Sequence, residues 1–482
     1  MQVVDRWTGR RASALRASLR MTNEAFATRL GAAVRTVAYW EAKPDTVPSP
    51  ALQEVLDRAL ADADDVVQRR FALLLAAAEE PGVAGVGVRR PAESAVMASQ
   101  EEWNRVRRYL IESGIGLATR TASLYDDQLR VDDVPAIAPA GWIPAGPVRL
   151  EDVALHWIPD LPSPRITGHE AEARPTLPLR ARGHAFSQYS SAIRYLRPPA
   201  LFENRHSYRL TGLSWSGGRG DLTFGLSTFF DKLDVSEPLG HEAAQAELAG
   251  RLDWSHLPFR SLIEDPFDLA VRAVNPGIST LTLRLDREAG TGTFFLLQRD
   301  PTQVTNGRHY SLLPAGEFQP ASIAAESVVA DLDIWRNMVR EFSEELLGHP
   351  EHDGSSGVPV DYEVWPFFRA MSAARVAGTI RAYVLGVALD ALSLNASIAT
   401  VAVIDASTFD QLFRDLVSRN PEGEVVRSLD GTKSIHGLPF DQATVQRLLT
   451  RERLGQTSAA CLTLAWRHRH QLLDGPSPRR GR

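Results

Sequence analysis

The sequence has very little cysteine and very little lysine. Cys461 is the single cysteine in 482 residues, which excludes an intramolecular disulfide and fits a reducing cytoplasm. Lysine occurs only at Lys43, Lys232 and Lys433, so arginine carries nearly all of the positive charge. Residues 1–11 lack the apolar centre of a signal peptide, and no uninterrupted apolar run reaches the length of about 18 residues that spans a membrane. We therefore expect a cytoplasmic protein with no membrane partner.

The chain also lacks the global positive charge that is typical of many nucleic-acid-binding proteins, because its net charge is −6. The charge is unevenly distributed, however. Residues 1–60 hold nine Lys and Arg against six Asp and Glu, a positive segment on an acidic protein. The hydrophobic fraction of 44% is enough for a buried core, and the length predicts about three domains.

Changes in pattern along the chain predict an α+β multidomain protein. Apolar residues at helical spacing dominate the first 80 residues, and a Gly, Val and Pro-rich stretch over 81–91 is typical of a linker. Alternating apolar residues typical of strands begin near residue 208. The predicted division is an all-α domain over 1–80, a linker over 81–100, a middle α+β region over 101–270, an α+β domain with a mixed sheet and helices over 271–472, and a disordered tail over 473–482.

Local signals place individual elements within these regions. Thr22 is a predicted helix N-cap, and Gly31 is suited to a left-handed C-cap. Glycine-rich turns near 217–220 and 290–292 predict two hairpins. The predicted helices cover 10–19, 23–30, 34–41, 48–60, 62–79, 101–113, 330–347 and 409–419. The predicted strands cover 207–214, 222–230, 278–285, 294–297 and 398–404.

The segment over 15–43 has the pattern of two helices joined by a tight turn. An amphipathic helix comes first, Gly31 occupies the turn, and Leu30 and Val37 supply apolar contacts between the next two helices. The defining runs are Met21-Thr22-Asn23-Glu24-Ala25-Phe26-Ala27 and Val37-Ala38-Tyr39-Trp40-Glu41. This segment resembles the helix-turn-helix of the lambda-repressor/Cro (Xre) regulators. In that family the second helix of the pair enters the major groove of DNA.

The resemblance nominates a set of residues that contact double-stranded DNA. The positions that would face the groove are Ala33, Val34, Arg35, Thr36 and Tyr39, and Arg35 is equipped for bidentate recognition of guanine. Asn23 and Lys43 would contact phosphates. Ala33 departs from the family, where a hydroxyl or amide side chain usually caps this helix. The alternative is a small helical bundle with a solvated basic face or a protein-contact role. Because one short recognition helix binds weakly, we expect a homodimer on a two-fold site.

A second motif lies in the run Arg-Glu-Phe-Ser-Glu-Glu-Leu-Leu-Gly over 340–348. Glu341, Glu344 and Glu345 stand at positions i, i+3 and i+4, which one face of a helix would bring together. Magnesium prefers oxygen ligands, so this face could hold that ion. The alternative interpretation is a solvated acidic face opposite a buried stripe of Val339, Phe342 and Leu346.

The run over 340–345 is similar to the Arg-Glu-x-x-Glu-Glu core of the Nudix box, the signature of enzymes that cleave diphosphates linked to another group. The resemblance implies a Nudix-like domain in which Glu341, Glu344 and Glu345 bind magnesium. Three departures argue against hydrolysis. Leu332 replaces an expected glutamate, Arg340 lies 24 residues after Gly316, and Gly348 comes one residue late.

Together the two resemblances predict a DNA-binding transcriptional regulator whose C-terminal region senses a small molecule or a partner. A nucleotide or a sugar diphosphate is the effector that the Nudix resemblance implies. One alternative is a magnesium-dependent Nudix-type hydrolase that carries a DNA-binding arm. Another is an interaction module in which both regions contact only proteins.

Overall fold

The computed structural model divides into two compact units, Met1–Arg89 and Arg90–Arg482. It describes residues 6–19, 21–61, 63, 67–68, 71, 91–181, 183–199, 202–299, 309–322, 324–350, 358–420, 423–426 and 437–474. Helices make up 45% of the structure and strands make up 22%. These fractions confirm the expected mixture of helices and strands. Three predicted segments lie partly or wholly outside the described residues. They are most of the helix over 62–79, residues 81–90 of the linker and residues 475–482 of the tail.

The described part of the N-terminal unit is helical. Its helices are α1 (Gly9–Ser18), α2 (Asn23–Leu30), α3 (Val34–Ala42) and α4 (Pro50–Ala61). Thr22 caps α2 by accepting a hydrogen bond from the Ala25 N–H, and Gly31 ends α2 with a left-handed φ of 62°. Both predicted helix ends are therefore confirmed, and only short local signals were needed to place them.

The core of the N-terminal unit forms where α3 packs against α1 and α2. The buried apolar side chains include Trp7, Phe26, Leu30, Val37 and Trp40. The Trp7 ring nitrogen donates a hydrogen bond of 2.7 Å to Asp57, which ties the chain before α1 to α4. Aromatic burial of this extent supplies the main stabilising free energy of a unit this small.

The C-terminal unit contains both helices and strands. Its helices are α5 (Pro91–Ala122), α6 (Tyr189–Leu196), α7 (Phe229–Leu248), α8 (Pro258–Ser261), α9 (Ala325–Ala330), α10 (Ile334–Glu341), α11 (Pro366–Val376), α12 (Ala406–Leu412), α13 (Gln442–Thr450), α14 (Gln456–Arg467) and α15 (Arg469–Asp474). Its strands are β1 (Ala136–Ile137), β2 (Val148–Arg149), β3 (Val153–Trp157), β4 (Leu179–Ala181), β5 (His184–Ala185), β6 (His206–Ser216), β7 (Arg219–Thr228), β8 (Gly277–Asp286), β9 (Thr291–Phe294), β10 (Leu296–Arg299), β11 (Tyr310–Leu312), β12 (Ala315–Glu317), β13 (Ile380–Asp390), β14 (Ala396–Asp405), β15 (Arg419–Asn420), β16 (Gly423–Val426) and β17 (Leu438–Pro439).

The largest sheet has the strand order β1-β13-β14-β8-β9-β17, with β2 paired to β13 and β12 paired to β8. The β14–β8 pair is parallel, whereas the other pairs of this sheet are antiparallel. Smaller sheets have the orders β11-β10-β16-β15, β3-β7-β6 and β4-β5. The strands β13 and β14 are buried along almost their whole length because helices cover both faces of the sheet.

Side-chain alternation along β8 separates the two faces of the largest sheet. Arg284 points to one face and pairs with Asp410 of α12. Ser279 is an odd number of residues away, so it points to the opposite face, together with its register partner Ala315. The helix α14 packs on β8, β13 and β14. The helix α12 therefore lies against the Arg284 face, and Ser279, on the opposite face, lines a cavity of this unit.

The predicted boundary near residue 270 falls inside the C-terminal unit. The strands β1 and β2 come from the middle region, and they pair with β13 from the region predicted to form a separate domain. Within the linker predicted over 81–100, α5 begins at Pro91.

The predicted hairpins are present, with two differences at their ends. In the first, β6 and β7 flank a turn in which Gly217 and Gly218 both have positive φ, the conformation that glycine adopts without strain. The predicted strand end at residue 230 is two residues too long, because α7 starts at Phe229. In the second, β8 pairs with β9, but β10 joins β11 and β16 in another sheet.

The helix predicted over 330–347 is also divided. The α-helix α10 ends at Glu341, and residues Phe342–Leu346 form a π-helical turn. Within the part of the chain that the structure describes, no helix is both long enough and apolar enough to cross a membrane.

The close approach of Gly9 to α3 gives a first prediction. A Cβ atom at Gly9 would lie 2.6 Å from the Trp40 carbonyl oxygen and 2.8 Å from that of Lys43. Gly9→Ala should therefore lower the free energy of unfolding of the N-terminal unit by about 1–3 kcal/mol. Urea unfolding of the full chain, followed by tryptophan fluorescence, measures this change. Gly114→Ala is the control because no atom lies within 4 Å of its Cβ position. Equal midpoints for the two variants would contradict the packing described here.

Candidate nucleic-acid interface and ligand cavity

The helix α3 has one buried face and one exposed face. Val37 and Trp40 are buried in the core of the N-terminal unit. Arg35 is exposed on the opposite face, where Val34 is 42% and Tyr39 is 47% exposed. The outward face of α3 thus combines a guanidinium group with apolar surface.

The structure places the remaining predicted DNA-contact residues around this face. Ala33 precedes α3 and makes no side-chain cap hydrogen bond, as its methyl group requires. Thr36 is half-buried in the first turn. The Lys43 ammonium lies 5.2 Å from the centre of the Tyr39 ring, so the two side chains extend the same surface.

Asn23 occupies a different environment from the one predicted. Its side-chain amide donates a hydrogen bond of 2.9 Å to Glu41, and Glu41 also pairs with Arg16. This small network joins α1, the start of α2 and the end of α3. Asn23 therefore holds the orientation of α3 in this structure, and a phosphate contact would require its amide to leave Glu41 or to use its second N–H.

The predicted glutamate face is altered by the π-helical turn. Because this turn has more residues per turn than an α-helix, Glu344 and Glu345 rotate away from the positions expected at i+3 and i+4 from Glu341. Glu345 is buried, whereas Glu341 and Glu344 are half-buried. The predicted buried stripe of Val339, Phe342 and Leu346 is confirmed, but the glutamates are not a solvated acidic face.

Two of the three glutamates contact the strand β12. The Glu345 carboxylate accepts a hydrogen bond of 3.0 Å from the Ala315 N–H. A Cβ atom at Gly316 would lie 2.2 Å from the carboxyl carbon of Glu341, so only glycine fits beneath that side chain. Among the described residues, no group of three or more His, Cys, Asp and Glu side chains is placed to hold a metal ion. The three predicted magnesium ligands therefore do not fit a shared magnesium site in this structure.

Arg340 is buried at the centre of a hydrogen-bonded network. Its guanidinium donates to the Tyr362 hydroxyl at 2.6 Å, the Gln319 carbonyl at 2.7 Å and the Asn337 side-chain oxygen at 2.9 Å. Tyr362 in turn donates to Asp331 at 2.8 Å. Burial lowers the pKa of Arg340, but Tyr362 and Asp331 outweigh that effect and the net pKa is raised. The arginine of the motif therefore fixes α10 against the chain on either side.

A cavity of about 560 Å³ lies on the other face of the same strands. Its walls come from α5, α7, the ends of β8, β11 and β12, the turn between β13 and β14, and the first turn of α14. Ala315, Gly316 and Glu317 line it, and the side chain of Glu341 lies beside Gly316. The volume is that of a site for a small molecule.

Two carboxylates in the cavity wall have cationic partners. The Lys232 ammonium lies 2.5 Å from Glu317, and the Arg107 guanidinium lies 2.5 Å from Glu237. Burial raises the pKa of Asp390, whose carboxylate accepts hydrogen bonds from the N–H groups of Leu392 and Ser393. The wall is therefore polar, but its described residues do not include a cluster of unpaired carboxylates.

Sequence reasoning found little of this cavity. Phe202 lines the cavity at the start of a largely polar run over 202–205. The start of α14 was missed. The available signal was Gly455 followed by the polar residues Gln456, Thr457 and Ser458 ahead of an apolar helix.

Comparisons with known proteins add no family to these observations. No protein-family model matches the chain, and no curated protein matches it. Two resemblances therefore stay predictions. They are that of residues 15–43 to the Xre helix-turn-helix and that of residues 340–345 to the Nudix box. The function proposed below therefore rests on the residues and geometry of this chain.

The buried network around Arg340 yields a second prediction. Arg340→Met should lower the free energy of unfolding by about 3–5 kcal/mol, because it leaves Asp331 and Tyr362 buried without their cationic partner. Arg369→Met on the exposed surface of α11 is the matched control and should change stability by less than about 0.5 kcal/mol. Chemical denaturation measures both. A neutral effect of Arg340→Met would show that the network does not stabilise this unit.

Proposed function

We propose that this protein is a sequence-specific DNA-binding transcriptional regulator. The single observation that carries the proposal is the outward face of α3. Val37 and Trp40 anchor the helix in the core, so Val34, Arg35 and Tyr39 remain free for an external partner. A guanidinium flanked by apolar side chains matches the edges of bases in a major groove.

The proposed contacts divide into base recognition and phosphate contacts. Arg35 donates two hydrogen bonds to guanine O6 and N7, and Val34 contacts a thymine methyl group. Lys43 reaches a phosphate beside the groove, with Tyr39 packed against it. A helix of nine residues offers few such contacts, so two copies of the chain bind a two-fold operator.

The C-terminal unit is the proposed sensor. Its cavity has the volume for a small-molecule effector, and the strand β12 separates that cavity from Glu341 and Glu345. An effector that prefers one arrangement of the dimer shifts the population toward that arrangement and changes the spacing of the recognition helices. The single, buried Cys461 is consistent with the reducing cytoplasm in which such a regulator acts.

Substitution of Arg35 tests the groove assignment. Arg35→Ala should weaken binding to the preferred DNA site by about tenfold to a hundredfold, because a bidentate contact to guanine is lost. Gel retardation across a protein titration measures the affinity, and circular dichroism checks the fold. Arg58→Ala removes the same charge from α4, where Arg58 pairs with Glu54, and is the matched control.

The two variants should differ in specificity as well as affinity. Arg58→Ala should retain the preference for the selected site over random DNA, while Arg35→Ala should lose much of it. Equal affinity of Arg35→Ala and the unmodified protein for that site would reject the proposed recognition face.

A further inference from the structure

The first turn of α14 opens into the cavity of the C-terminal unit. Gln456, Thr457 and Ser458 line the cavity, and Gly455 precedes them as the N-cap. Glycine has no side chain to accept a hydrogen bond from this turn, and the first turn contains no acidic residue. The N-terminus of a twelve-residue helix therefore presents N–H groups and a partial positive charge to whatever fills the cavity.

A second, independent feature of the wall indicates a polar ligand. Ser279 is only 2% exposed, and its hydroxyl has no hydrogen-bond partner among the described residues. It lies on the face of β8 that lines the cavity, in register with Ala315. The side-chain oxygen of Asn395, also in the wall, is likewise buried without a described partner. Buried polar groups in folded proteins nearly always have hydrogen-bond partners. Two polar atoms without a described partner in one wall therefore point to a bound molecule.

The charge in this part of the wall favours an anion. Arg453 lines the cavity two residues before Gly455, and its guanidinium donates to the Glu112 carbonyl at 2.6 Å. A carbonyl does not neutralise a guanidinium, and no described carboxylate lies within ion-pair distance of Arg453. By contrast, Glu237 and Glu317 already have cationic partners.

We propose that this cavity binds a phosphorylated small molecule, with its phosphate at the N-terminus of α14. Phosphate oxygens accept from the N–H groups of Gln456 and Thr457 and from Arg453, as anions do at other helix N-termini. A hydroxyl on the body of the ligand donates a hydrogen bond to the side-chain oxygen of Asn395. The Ser279 hydroxyl forms a hydrogen bond to the ligand after a small movement of the wall. The assignment of this molecule as the effector rests on the function proposed above.

Deletion of one backbone donor gives the sharpest test. Gln456→Pro removes the N–H of the first helical residue, a position where proline fits a helix. Gly455 has φ −58° and ψ 147°, the extended conformation that a residue before proline adopts, so the fold should persist. Gln456→Ala alters the same side chain and keeps the N–H, which makes it the matched control. Arg453→Ala is paired with Arg451→Ala, whose arginine is exposed and outside the cavity wall.

The probes are inorganic phosphate, ribose 5-phosphate and ribose, titrated into the full chain by calorimetry. Hydrogen exchange of residues 456–458 is measured in parallel, with chloride at equal ionic strength as the reference. We expect phosphate to protect these amides and ribose 5-phosphate to bind more tightly than ribose. Binding of both phosphate probes should weaken about threefold to tenfold in Gln456→Pro and at least about tenfold in Arg453→Ala. Arg451→Ala should bind as the unmodified protein does, and Gln456→Ala, which keeps the N–H, should lose less affinity than Gln456→Pro.

Absence of phosphate protection, or equal losses in Gln456→Pro and Gln456→Ala, would overturn the anion site. Equal affinity for ribose and ribose 5-phosphate would overturn it as well. Operator retardation by the same samples reports on the proposed function separately, because Arg35 lies in the other unit. A chain that binds DNA and ignores phosphate therefore rejects only the inference made here.

Discussion

The burial of Val37 and Trp40 is the contact on which the N-terminal unit depends. These two side chains fix the rotation of α3 about its own axis, and that rotation leaves Arg35 and Tyr39 on the outer face. The link from Asn23 and Arg16 to Glu41 holds the same helix at its C-terminal end. The orientation of this face follows from core packing, so the proposed recognition of DNA would be altered by substitutions in the core that touch no DNA.

In the C-terminal unit, the strand β12 joins two features that the sequence presents far apart. Glu341 and Glu345 contact it from one face, while Ala315 and Glu317 form part of the cavity wall on the other. A shift of this strand on ligand binding would reach the buried network of Arg340 through a few atoms. Because packed interiors move between discrete arrangements, such a shift is suited to transmit occupancy of the cavity.

The parts of the structure that were predicted correctly depend on local signals. Thr22 and Gly31 mark the ends of α2, and the glycine turn between β6 and β7 marks a hairpin. The π-helical turn was not predictable from local signals, and it occurs where Glu345 accepts a hydrogen bond from Ala315, thirty positions away. The cavity was not predictable for the same reason, since its wall joins α5 to the start of α14. Uniform burial of β13 also removed the alternation that identifies a strand.

The most direct test of the regulator hypothesis is selection from random double-stranded DNA with the intact protein. We expect enrichment of one sequence made of two inverted half-sites, with guanine at a fixed position in each and a regular spacing between them. Bound DNA should be released as salt increases, since phosphate contacts supply part of the affinity. Recovery of no shared sequence, with retention independent of salt, would contradict the assignment of α3 as a recognition helix.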